Sequence, residues 1–224
     1  MEVVAPRRGA STFEAPSAEV RLTSAEAGTE TMRVPASLAR SLMHDEPPYP
    51  ATRDQVLAFI EARMAASCAE RVVRLQAQRD RSSREVLDRL VREGYPPEMA
   101  RGAVEQAIAR RVVDDARFAE GFCRAKVRAG WGVARIEREL AARGVDVADL
   151  VGWPEDFVDE GDEFERALSI ARRRNVAGKN ALPRLARHLA SKGFSTEVSL
   201  KAARAALEEA DDGEDGTDGD ELDR

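Results

Sequence analysis

The sequence predicts an all-α protein: an elongated tandem array of three three-helix repeats, between a disordered N-terminal segment and an acidic, disordered C-terminal segment. Three observations carry this. Aromatic content is only 5%, while Ala, Leu, Arg and Glu, which lose little entropy on entering a helix, are abundant. From Thr52 onward, apolar residues recur at three- and four-residue intervals, the spacing of one helix face. Finally, one ten-residue pattern occurs three times: "VLDRLVREGY" (86–95), "IERELAARGV" (136–145) and "LARHLASKGF" (185–194) superpose without gaps.

Each copy has a physical logic. Val86, Ile136 and Leu185 align, as do Leu90, Leu140 and Leu189; residues four apart share a helix face. Gly94, Gly144 and Gly193 stand where a helix ends in a left-handed residue. Tyr95, Val145 and Phe194 follow, placed to fold back on the last turn. Helical segments precede the copies at 69–79, 115–129 and 163–174. Others follow at 97–110 and 195–209, and more weakly at 147–151, where "GWP" (152–154) cuts the pattern short. A three-helix unit of this size buries its apolar face by stacking on neighbours, so function belongs to an extended surface.

In chain order, residues 1–50 are rich in Ala, Ser, Thr, Glu and Pro, end in "HDEPPYP", and are expected to be disordered. Residues 51–112 hold an N-terminal helix plus repeat 1; the helix from Thr52 is expected to break near Ala66–Ser67. Residues 113–160 form repeat 2, 161–209 repeat 3, and 210–224 the acidic tail. The net charge of −6 conceals an asymmetry. From Glu208 the chain holds ten acids and one Arg, whereas residues 51–207 carry 29 basic and 24 acidic side chains, a net of +5. A basic body of this kind points to an anionic partner.

Several chemistries find no support. There is no CxxC pair, so Cys68 and Cys123 are expected to be small buried apolar residues rather than zinc ligands or a disulfide. His44 and His188 are the only histidines, one in the Pro-rich segment and one mid-helix, which argues against a catalytic pair. No phosphate-binding GxxxxGK[ST] loop occurs, and "GWG" (130–132) reads as a helix stop and turn with Trp131 packed in the joint. No apolar run reaches eighteen residues, and the N-terminus lacks the layout of a signal peptide, so the expected location is the cytoplasm.

The densest stretch is "VVDDARFAEGFCRAKVRAGWG" (112–132). Asp114 and Asp115 have the chemistry of metal ligands or a general base, but they immediately precede the apolar pattern Phe118, Ala119, Phe122, Cys123. That position fits an N-cap followed by a first-turn acid. Phe118 and Phe122, four apart, read as a core stripe. Arg117, Arg124, Lys126 and Arg128 then fall outside that face, and Arg135, Arg138 and Arg143 decorate the next helix. Further along come "RRR" (Arg172, Arg173, Arg174), Lys179, Arg184, Arg187 and Lys192. Their recurrence on successive units makes a shared basic surface the candidate partner-binding face.

The segment "VVDDARFAEGFCRAKVRAGWGVARIERELAARGVD" closely resembles the signature of the RecX family, bacterial regulators of the RecA recombinase. "RSSREVLDRLVREGYPPE" is similar to that family's first-repeat element, with Val86 where Leu is usual, and "RHLASKGFSTEVSLKAA" to its closing element. The likeness covers roughly residues 66–207. It implies tandem three-helix repeats that bind along the helical groove of a RecA–single-stranded DNA filament. Filament extension, ATP turnover and strand exchange would then be limited, in DNA repair, recombination and the SOS response. It implies no catalysis and no cofactor. The matching positions, taken as defining the fold, are Asp114, Asp115, Phe118, Ala119, Gly132, Leu140, Gly144, Leu189, Gly193 and Phe194, with Arg117 among the basic candidates.

A monomer is the expected state. The runner-up reading is direct DNA binding by helix–turn–helix-like units with Arg faces, distinguished by steep salt dependence on bare DNA. A metal-dependent nuclease would need clustered ligands that the spacing does not supply. The acidic tail and the head depart from the family pattern. The tail's charge, opposite to that of the body, raises the hypothesis that it mimics DNA phosphate and docks on the basic surface.

Overall fold

A computed structural model describes residues 1–4, 17–24, 28–45, 47, 50–158, 160–174, 176 and 178–215. The chain divides into two compact units, Met1–Asp115 and Ala116–Arg224.

The first unit opens with an antiparallel sheet, β1 (Glu2–Val4), β2 (Ser17–Ser24) and β3 (Gly28–Pro35) in that order, followed by α1 (Ala36–Leu42). The expectation of disorder across 1–50 is therefore corrected for the described residues. In the β2–β3 register Ala18 faces Val34 and Val20 faces Met32. Ala18, Val20, Val34, Leu38, Ala39 and Leu42 join one core with Ile60, Met64, Cys68, Val72 and Leu75 of α2 (Arg53–Gln78). The head is too poor in apolar residues to order alone, and the stripe on α2 supplies what it lacks.

α2 starts in a capping box, Thr52 with Gln55, and runs unbroken through Ala66–Ser67, contrary to the expected break. Neither residue interrupts helical hydrogen bonding, and the Ser67 hydroxyl finds a partner 2.8 Å away in Tyr95. α3 (Ser83–Arg92) and α4 (Pro97–Ala109) complete the unit. Ser82 and Glu85 form a second capping box before α3, within the "RSSREVLDRLVREGYPPE" stretch. Glu93, at the end of α3, accepts a two-pronged bond from Arg71 of α2 at 2.7 and 2.6 Å. That bond and a second arginine, Arg89, hold Glu93 below the usual carboxylate range despite its partial burial.

The second unit contains the body of α5 (Asp115–Arg128), then α6 (Val133–Ala142), a 3-10 turn (Val147–Asp149), α7 (Glu160–Arg172), α8 (Ala181–Ser191) and α9 (Thr196–Asp215). One core gathers Phe118, Ala119, Cys123, Ile136, Leu140 and Val145; another gathers Ala167, Leu168, Leu185, Leu189, Phe194 and Ala202. α9 carries the helix to Asp215, into the segment expected to be disordered from residue 210; residues 216–224 lie outside the described residues.

The thrice-repeated pattern performs the same act in each copy. Gly94, Gly144 and Gly193 take φ values of +93°, +75° and +96°, ending α3, α6 and α8. The next amide reaches back to the helix: Tyr95 N to Leu90 O, Val145 N to Leu140 O and Phe194 N to Leu189 O, at 3.2, 3.0 and 3.3 Å. Tyr95, Val145 and Phe194 are all buried, as are Leu90, Leu140 and Leu189. Gly132 and Gly193 also meet within the second unit. The Gly132 amide donates to Lys192 O at 3.0 Å, pressing the start of α6 against the α8–α9 turn.

Candidate partner-binding surface

Asp114 and Asp115 lie at the start of α5, but the Asp115 carboxylate serves a different helix. It accepts from the Ser83 amide at 2.7 Å and the Ser83 hydroxyl at 2.6 Å, capping the first turn of α3. The Asp115 carboxylate thus has a structural role, holding the first residue of α3, which lies 32 residues away in sequence. Among the described residues, no group of three or more His, Cys, Asp or Glu side chains assembles to hold a metal ion. Cys68 and Cys123 are buried, and burial pushes both thiols up to about 11, leaving them protonated near neutral pH.

On α5, Phe118 and Ala119 are buried, while Phe122 is only half-buried. The expected pure core stripe therefore ends in a half-buried ring packed against the core. Phe122 meets Trp131 edge-on, ring centroids 6.4 Å apart and planes at 84°. Three cations cover this pair. Lys126 Nζ lies 5.2 Å from the Phe122 centroid and 4.6 Å from that of Trp131. The Arg135 guanidinium stacks 3.7 Å over Trp131, and that of Arg143 sits 5.0 Å over Phe122. Lys126 accordingly shares the Phe122 face rather than lying outside it, because the two are four residues apart on one helix.

The remaining candidates are distributed differently. Arg124 bonds Glu120 at 2.9 Å and lies 5.0 Å over the ring of Phe157, whose neighbour Trp153 donates its Nε1–H to Glu137 at 3.1 Å. Arg128 Nε donates to the Arg124 carbonyl at 3.2 Å. Arg143 also bonds the Glu139 carboxylate and holds it below the usual carboxylate range. Arg117 is exposed, and Arg138 lines a shallow groove with Glu137, Ala141 and Val147. In the third repeat, Arg172 makes a two-pronged bond to Glu209 of α9, both contacts at 2.7 Å. Arg174 Nη1 lies 3.0 Å from His188 Nδ1, while Arg173, Lys179 and Arg184 are exposed. Arg187 caps back on the Pro183 carbonyl at 3.1 Å. Burial, with Arg174 and Lys192 beside it, lowers the His188 pKa.

The arrangement is thus a cation-covered aromatic patch on α5 and α6, plus an arginine-rich end of α7. Sequence reasoning named the cations but not Phe122 and Trp131 as their platform, nor Glu120, Glu139 and Glu209 as their partners. The four-residue spacings Glu120–Arg124 and Glu139–Arg143 were the available signal for two of these pairs.

Fold and surface together define a tandem three-helix-repeat protein with a basic, aromatic-backed outer face. The model of the RecX second three-helix domain matches residues 114–149. The regulatory protein RecX of Halorhodospira halophila is 36% identical over 154 residues, covering 66% of this chain and 93% of that protein. That of Chromohalobacter salexigens is 34% identical over 129 residues, 56% of this chain and 83% of its own length. A crystal structure of a regulatory protein RecX aligns with a TM-score of 0.58 at 18% identity, covering 89% of this chain and 97% of that one. The RecX structure from Lactobacillus salivarius aligns with a TM-score of 0.53 at 17% identity, over 63% and 96%. The two structures share the fold; the sequence relatives settle the kinship. The chain belongs to the RecX family.

No helix among the described residues is long and apolar enough to cross a membrane.

Proposed function

We propose that this chain is a non-enzymatic regulator of the RecA recombinase, acting in the cytoplasm as a monomer. It binds the groove of the RecA–single-stranded DNA filament and limits filament extension, ATP turnover and strand exchange. Family membership supports the recombinase as partner. The observation that carries the choice of surface is the cation-covered pair Phe122–Trp131, with Lys126, Arg135 and Arg143 held over the rings. Stacking on aromatic faces holds long cationic side chains in place, so less freedom is lost when an anionic partner arrives.

The test is a titration of the protein into a recombinase–single-stranded DNA filament, reading ATP turnover, with bare DNA alongside. Reversing charge at Arg124, Lys126 and Arg128 together is expected to raise the half-inhibitory concentration at least tenfold, while far-UV circular dichroism stays as in the wild type. A folded triple variant that inhibits like the wild type discards this surface. Tight binding to bare DNA that falls steeply with salt and needs no recombinase replaces the filament reading with direct DNA binding.

A further inference from the structure

The acidic end of the chain emerges beside the most arginine-rich point of the body. α7 and α9 lie side by side and run in the same direction: Phe164 meets Lys201 at one end, with Nζ 5.0 Å from the ring centroid. Arg172 meets Glu209 at the other, across the same sequence separation of 37 residues. α7 stops at Arg172, whereas α9 continues to Asp215. The last turn and a half of α9 therefore passes beyond the C-terminal end of α7. That end carries Arg172, Arg173 and Arg174, and Lys179 lies on the connection to α8.

The first link is already closed. Glu209 holds Arg172 by two bonds, and that contact lowers the pKa of the carboxyl and raises that of the guanidinium. Downstream the sequence supplies Asp211, Asp212, Glu214, Asp215, Asp218, Asp220, Glu221 and Asp223. The nine residues after Asp215 reach at most about 30 Å when extended. Arg173, Lys179 and Arg184 are exposed on the same repeat.

We infer that residues 210–224 dock on the basic surface at the end of α7 and along α8, as a tethered polyanion continuing the Glu209–Arg172 contact, and compete there with the anionic partner. Tethering gives such a segment a high effective concentration at its own body, so many weak charge pairs suffice to occupy the surface. An incoming polyanion must displace it. The competing role rests on the function proposed above; the docking itself does not.

The test uses the full chain with Asp211, Asp212, Asp215, Asp218, Asp220 and Asp223 changed to Asn and Glu214 and Glu221 changed to Gln. Without any nucleic acid, neutralisation is expected to shift the NMR resonances of Arg173, Arg174, Lys179, Arg184 and Arg187 and of their backbone amides. The wild type should show the same shifts on raising salt from 50 to 500 mM. With fluorescein-labelled thirty-residue oligothymidylate in 50 mM salt, the neutralised chain is expected to bind at least tenfold more tightly than the wild type, the gap closing at high salt. Spectral changes confined to residues 208–224 overturn the docking, even if affinity rises, because the gain is then long-range electrostatics. Docking seen by NMR with equal affinity for the oligonucleotide overturns the competition. Failure of the proposed function is a different result: no effect of either chain on filament ATP turnover, with the NMR differences intact.

Discussion

Replacing Gly132 with alanine is expected to destabilise the second unit by about 1.5–4.5 kcal/mol. Its backbone, at φ −79° and ψ 157°, is one that alanine adopts freely, so the effect is contact alone. A Cβ at this position lies 2.2 Å from both the carbonyl carbon and oxygen of Gly193 and 2.4 Å from the Phe194 nitrogen. Ordinary contact begins at 3.4 Å, and all three neighbours are backbone, so no side chain can rotate aside. The junction must open, which breaks the 3.0 Å bond from the Gly132 amide to Lys192 O. Losing that bond costs about 0.5–1.5 kcal/mol, and the remaining overpacking adds about 1–3 kcal/mol. Urea denaturation followed by tryptophan fluorescence measures this, since both tryptophans, Trp131 and Trp153, lie in the second unit. Gly121→Ala serves as the control: nothing stands within 4 Å of its Cβ, and an alanine in mid-helix is expected to be neutral or to stabilise by up to about 1 kcal/mol. A Gly132→Ala chain within about 0.5 kcal/mol of the wild type refutes the close-junction argument.

Two further substitutions address the core and the caps. Phe118→Ala, at a ring 7% exposed, is expected to cost about 3–5 kcal/mol, read as a lowered melting temperature; an unchanged melting temperature removes Phe118 from the core. Asp115→Ala strips the Ser83 amide and hydroxyl of their shared acceptor and is expected to cost about 1.5–3 kcal/mol. Amide hydrogen exchange locates that loss: faster exchange at the start of α3 supports the cap, and faster exchange confined to α5 contradicts it.

Much of the helical part was legible because its signals are local. The Leu-to-Gly-to-apolar pattern specifies a helix, its left-handed stop and the return of the chain, all within ten residues, so three copies could be read directly. The family likeness had the same source, since its motif positions are helix starts, helix stops and the apolar residues packed beside them. The head was missed because its order is not local. Ala18, Val20 and Leu22 alternate as a strand should, but the run is short and lies among Ser, Thr and Glu. It orders because α2 covers it.

The same division holds at the surface. Sequence alone determined which residues are basic, where the three repeated helices stop, and that the body and the tail carry opposite charge, because these are properties of residue type and of spacing within a turn or two. Only the tertiary structure decided what each charge does. It gave Asp115, expected only as a first-turn acid of its own helix, a second role as an acceptor at the start of α3, 32 residues away. It placed Lys126, Arg135 and Arg143 over one aromatic pair drawn from α5 and the following turn. It also set Glu209 on Arg172, so one arginine of the basic run is already paired within the chain. Contacts across such separations depend on how helices pack, and packing is settled by shape and burial over the whole unit rather than by any one segment.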